Sequence, residues 1–126
     1  MQTKQKCDLA ALMSKSYERF YGIPSNGREE FPLGLYGFFV ILYSYHLQGW
    51  KMRRTMAESR FLPARHSATG KKYLDEAARR GYITFAIDPE DRRTQLMLPT
   101  AKLVDLVDGD LREETSQLLK ILGVAQ

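Results

Sequence analysis

The chain has 126 residues, of which 44% are apolar and 27% charged, with a formal net charge of +4 and one cysteine. That length suits a single compact domain spanning residues 1–126, and the balance excludes a disordered or fibrous chain. Cys7 alone excludes an intrachain disulfide and a cysteine-rich zinc site; no membrane-length apolar run or signal-peptide core is present, so a soluble, cytoplasmic protein without a membrane partner is expected.

Leu9, Leu12, Met13, Tyr17 and Phe20 fall near one stripe, which predicts an amphipathic helix from Asp8 to Tyr21. Residues 22–27 then break it by composition. The segment from Leu33 to Leu47 is apolar almost all round, the pattern of a central buried helix. Beyond Gly49-Trp50, Met52 to Arg60 reads as a short helix with Met52 and Met56 inward and Arg53 and Arg54 outward. A longer helix follows Phe61-Leu62-Pro63, running to Arg80 with Gly81 as its C-cap. Its packing face takes Gly70, Tyr73, Leu74, Ala77 and Ala78, leaving Thr69, Lys71, Lys72, Asp75, Glu76 and Arg79 outward. Its start is open between Pro63 and His66.

At Ile83 the period changes to two. Ile83–Ile87 and Thr94–Leu98 read as two strands joined by a turn at Asp88-Pro89-Glu90-Asp91. Thr100 is a good N-cap for a last helix, which Gly109 is expected to kink or split.

The expected fold class is therefore mainly α with a small β-hairpin, in the order short helix, turn, long helix, hairpin. This is the order of a winged helix-turn-helix, in which a helix fits the DNA major groove and a narrow hairpin reaches the neighbouring minor groove. The charge supports that placement. Residues 51–93 hold eleven Lys and Arg against six Asp and Glu, a balance of +5 against −1 for the rest of the chain. Candidate DNA contacts are Arg53, Arg54, Arg65, His66, Ser67, Thr69, Lys71, Lys72, Arg92 and Arg93. The plainer reading of these cations is a solvated face, with Lys71–Asp75 and Lys72–Glu76 paired along the helix.

Tyr73-Leu74-Asp75-Glu76-Ala77-Ala78-Arg79-Arg80-Gly81-Tyr82-Ile83, then Asp88-Pro89-Glu90-Asp91-Arg92-Arg93 and Leu96-Met97-Leu98-Pro99-Thr100, resemble the MarR family of bacterial transcription regulators. The resemblance covers about residues 52–105. It implies that Arg93 is the wing residue entering the minor groove and that Asp91 orients it. It also implies a small-molecule effector held beside the central helix, for which Tyr36, Phe39 and Tyr43 are candidates; core packing is the plainer reading of those rings. Cys7 resembles the thiol of peroxide-sensing members, and an inert thiol is its plainer reading.

The expected lobe for DNA spans about 35–98. Helices at about 5–21 and 100–122 would pair across a two-fold axis, since a monomer would leave their apolar stripes exposed. The resulting expectation is a homodimeric repressor on a pseudo-palindromic operator in double-stranded DNA. The alternatives are a winged-helix replication or phage-type initiator and a winged-helix module for protein contact. No nucleophile–base pair or metal cluster is evident, so no catalysis, cofactor or metal is expected; Asp88, Glu90 and Asp91 read as turn chemistry.

Overall fold

The computed structural model describes residues 1–23, 27–62 and 67–124, with Ser67 described in its backbone only. Five α-helices and three strands appear among the described residues. In order they are α1 (Thr3–Tyr21), α2 (Leu35–Gln48), β1 (Met52–Arg53), α3 (Arg54–Met56), α4 (Ser67–Arg79), β2 (Ile83–Ile87), β3 (Gln95–Pro99) and α5 (Ala101–Leu122); α3 continues directly into a π-helical turn, Ala57–Phe61. None of the described helices is long and apolar enough to cross a membrane.

α1 begins before Asp8 because polar residues start it. The Gln5 side chain accepts from the Gln2 amide at 3.0 Å, satisfying a donor that the helix cannot. α2 starts after the left-handed Gly34 and not at Leu33, which is 53% exposed. From there Leu35, Phe38, Phe39 and Leu42 form the centre of the core, against Met52, Leu74, Met97, Leu103 and Val107.

Met52 and Arg53 do not join the short helix expected from Met52. They pair antiparallel with β3, Met52 opposite Met97 and Arg53 opposite Leu96. Two residues carry no readable period, so β1 exists only because β3 supplies its partner. The hairpin is therefore two strands of a three-stranded sheet, ordered β1-β3-β2. Within it Ile83 pairs with Pro99 and Ile87 with Gln95. Leu96 and Met97, neighbours on opposite faces of β3, are both buried, so the middle strand is covered on both sides. Ile87 is 64% exposed because the hairpin runs out beyond the core.

α4 ends as its sequence predicts. Gly81 takes φ 84° while its amide donates to Ala78 O and the Tyr82 amide to Ala77 O. Thr100 joins this end to α5: its hydroxyl donates to Gly81 O at 2.6 Å and accepts from the Leu103 amide at 3.3 Å. α5 then runs unbroken through Gly109, against the expected kink; helix propensity at one exposed glycine is too weak to break a helix anchored by buried Leu103 and Val107. The connectivity from α2 through β3 is that of a winged helix, with α1 and α5 packed beside it.

Candidate nucleic-acid interface

Two elements define one concave face. α4 packs inward through Gly70, Leu74 and Ala77, so Lys71 and Lys72 point to solvent. The hairpin tip carries Arg92 and Arg93, both exposed. Lys71 and Arg93, from the two elements, line a single cavity of about 330 Å³ together with Arg54, Thr55, Thr94 and Gln95.

The lysines do not pair along the helix. Asp75 is taken by Arg54 at 2.8 Å, and Glu76 by Arg79 and Arg80. Those contacts, the Arg79 hydrogen bond first, hold the Glu76 carboxyl below its ordinary range. Among the described residues no ion pair engages Arg53, Lys71, Lys72 or Arg92. Thr69 is half-buried on α4. Ser67 opens the described part of that helix, while Arg65 and His66, with Pro63 and the helix start they were to decide, lie outside the described residues.

The tip is built by aspartates. Asp91 Oδ1 accepts from the Arg93 amide at 3.1 Å and lies 3.5 Å from Arg93 Nε, while Oδ2 accepts from the Thr94 hydroxyl at 3.1 Å. Arg93 itself keeps 93% of its side chain exposed. Asp88 is the less legible partner. It is buried, accepts from the Glu90 amide at 2.9 Å, and receives Lys51 Nζ at 3.0 Å from the approach to β1. The Glu90 amide first and Lys51 second hold the Asp88 carboxyl below its usual range, and Lys51 is raised in turn. Lys51 is distant in sequence, and only its position beside β1 reveals the brace.

Arg54 is not a free cation. Its Nε donates to Glu58 at 2.9 Å, Nη2 to Asp75 at 2.8 Å and Nη1 to Gln95 at 3.3 Å, and its Cζ stands 4.3 Å from the centre of the Phe85 ring. The expected outward Arg54 is thus folded across the interface, because two carboxylates and an aromatic face surround it.

The three candidate effector residues do not share an opening. Phe39 is sealed in the core, and Tyr43 is buried with its hydroxyl on Asp108. Tyr36 lines a cleft of about 380 Å³ between α1, α5, α2 and the segment before α2, where Arg19 and Arg28 stand among Glu18, Glu29 and Glu113. Its hydroxyl donates to Asp110, which also takes both Arg28 terminal nitrogens at 2.9 Å. Burial opposes the Asp110 charge, but the Arg28 and Tyr36 hydrogen bonds and the nearby guanidiniums outweigh it, and its pKa is lowered. The next residue, Glu29, accepts from the Tyr82 hydroxyl and meets Arg80 at 3.4 Å. Residues 28 and 29 therefore tie α5 to the end of α4. No sequence motif marks that link, since its members are 51 to 82 residues apart.

No family model matches this chain, and no curated protein matches it. Among solved structures it is similar to apo, heme-free PefR, at 14% identity and a TM-score of 0.43, over 94% of this chain and 91% of that one. A likeness at this level identifies neither a ligand nor a function for this chain.

Proposed function

We propose that this protein is a sequence-specific, double-stranded DNA-binding regulator of transcription, acting as a cytoplasmic homodimeric repressor and not as an enzyme. The observation that carries this reading is the meeting of Lys71 and Arg93 on one concave face, with Lys72 and Arg92 beside them and every nearby carboxylate of α4 already engaged. Exposed cations on a helix and a β-ribbon, Lys71, Lys72 and Arg92 without an ion pair among the described residues and Arg93 held by Asp91 alone, fit the two grooves of a duplex, α4 in the major groove and the tip in the adjacent minor groove. Asp91 orients the Arg93 main chain. Arg53, Lys71, Lys72 and Arg92 act on phosphates, and Thr69 faces bases.

The dimer rests on α1 and the second half of α5. In the single chain α1 buries none of its residues, and Met13, Tyr17, Leu111 and Leu122 are all exposed. Two copies joined through these helices would present two interfaces to a pseudo-palindrome. The Tyr36 cleft is the candidate place for a small-molecule effector; its Arg28 and Arg19 guanidiniums are already held by Asp110 and Glu114, so its aromatic rings are what it offers a ligand.

The test is selection of duplexes from a random pool by the purified protein, followed by titration at several salt concentrations. Enrichment of an inverted repeat is expected, with affinity falling steeply as salt rises because phosphate neutralisation releases counterions. A pool that stays random, or affinity insensitive to salt, overturns the proposal.

A further inference from the structure

One guanidinium touches each element that builds this interface. Arg54 leaves β1 and α3, reaches Glu58 on the π turn and Asp75 on α4, meets Gln95 on β3, and lies over Phe85 on β2. Only 17% of the Arg54 side chain is exposed, and its Glu58 arm is equally covered, while its Asp75 and Gln95 arms reach acceptors at the exposed edge of the joint. Beside the apolar packing of α4 on β2, no other hydrogen-bonding or ion-pairing side chain among the described residues of this face reaches both α4 and the hairpin.

We infer that Arg54 is a positioning residue that fixes the distance between α4 and the hairpin, and with it the spacing at which two stretches of a duplex are read. The inference rests on the DNA-binding reading above and adds to it a determinant of site geometry. The chemistry favours arginine. Its planar fork sends three donors to three fixed acceptors while its face stacks on a ring, whereas a lysine ammonium has neither the plane nor the directed fork. The same side chain neutralises Glu58 and Asp75, which would otherwise present negative charge beside Lys71 and Arg93.

A phosphate-binding cation and a positioning cation respond differently to substitution. Arg54→Lys keeps the charge, so a phosphate contact would survive it nearly intact. A positioning residue would not: Arg54→Lys and Arg54→Gln should both weaken binding by about tenfold, the scale of losing one base pair's readout. The decisive readout is spacing. Duplexes selected by the parent should hold the bases read by α4 and those read by the hairpin at one separation, and those selected by Arg54→Lys should keep the same base preferences at blurred separations. Reduced stability alone would lower the active fraction without moving the spacing.

Asp75→Ala supplies a second variant that removes one arm of the fork and leaves Arg54 in place; the same blurring is expected. Unchanged affinity and spacing in both variants overturns the inference. If the parent selects no duplex, the DNA reading has failed and the joint is judged separately by amide hydrogen exchange. Faster exchange at residues 88–95 in Arg54→Lys than in the parent, with α2 unchanged, then supports a joint held by Arg54; equal exchange overturns it.

Discussion

Gly70 lies so close to the main chain of Glu58 that a Cβ on residue 70 would stand 2.7 Å from the Glu58 carbonyl oxygen. Gly70 is buried and on the inner face of α4, so this approach sets how deeply the helix seats against the π turn. Gly70→Ala would gain helix propensity of up to about 1 kcal/mol. The clash outweighs it, because the obstacle is backbone and cannot swing aside. A net loss of about 1–3 kcal/mol is expected by urea unfolding, the usual cost of overpacking. Gly109 is the control. Among the described residues nothing lies within 4 Å of a Cβ there, and Gly109→Ala should raise stability by about 0.5–1 kcal/mol. Equal effects at the two sites would contradict the close packing at Gly70.

Lys71→Ala and Arg93→Ala should each weaken DNA binding while leaving the thermal midpoint in place. Both side chains are exposed, Arg93 at 93%, so neither contributes packing. Loss of one phosphate contact should also flatten the plot of log affinity against log salt by about 0.9. Titrations at three or more salt concentrations check this. A parallel line for Lys71→Ala would remove it from the phosphate contacts.

The cluster around Asp110 should be visible as a pH dependence. Its carboxyl titrates below the ordinary 3.8 in the folded chain, so its stabilising effect is present above that value and is lost as pH falls through the folded-state pKa. Asp110→Asn should cost about 2 kcal/mol at pH 7, the scale of charged hydrogen bonds lost, and somewhat less than for a fully buried pair because Arg28 keeps 30% of its side chain exposed. The gap between variant and parent should close as acid unfolding is followed below pH 3.8. At the alkaline end the sign reverses. Burial first, and Glu29 second, push the Tyr82 hydroxyl from 10.0 up to about 12, so stability should fall as pH rises above 10.0, where the unfolded tyrosine ionises first. Tyr82→Phe should remove that part of the alkaline loss.

Tyr17→Glu addresses the proposed dimer. Tyr17 is 58% exposed, stacks on Tyr21 at 4.5 Å between ring centres and shares its helix with Met13, which is 66% exposed. A charge there would have to be desolvated between two copies, so the variant should sediment as a folded monomer and bind its operator more weakly. Sedimentation equilibrium and far-UV circular dichroism decide it. A parent that is already monomeric, or a variant that stays dimeric, places the interface elsewhere.

Much of the frame was readable before any coordinates. The even apolar content of α2, the period of two at Ile83–Phe85, the caps Gly81 and Thr100, and the inward stripe of α4 are local signals: each needs only neighbours three or four residues away, or the residue at a turn. Asp91 beside Arg93 was legible through the resemblance carried by the Asp88–Arg93 run. Two expectations failed where a partner distant in sequence intervened: Met52 became a strand because β3 was there to pair with it, and Arg54 turned inward because Asp75, Gln95 and Phe85 surround it. The plainer reading of Lys71 and Lys72 as paired along the helix also fails, because Arg54 took Asp75 and the neighbouring Arg79 and Arg80 took Glu76.

Residue order alone thus determined which segments are helix and ribbon, where they stop, and that positive charge gathers in the middle of the chain, since periodicity, capping and composition are properties of short stretches. The tertiary structure decided which of those charges are taken by partners from other elements, as Arg54 is by Asp75 and Lys51 by Asp88. An ion pair forms with whatever acid comes within reach of the folded side chain, and reach in space is not recorded in the spacing along the chain.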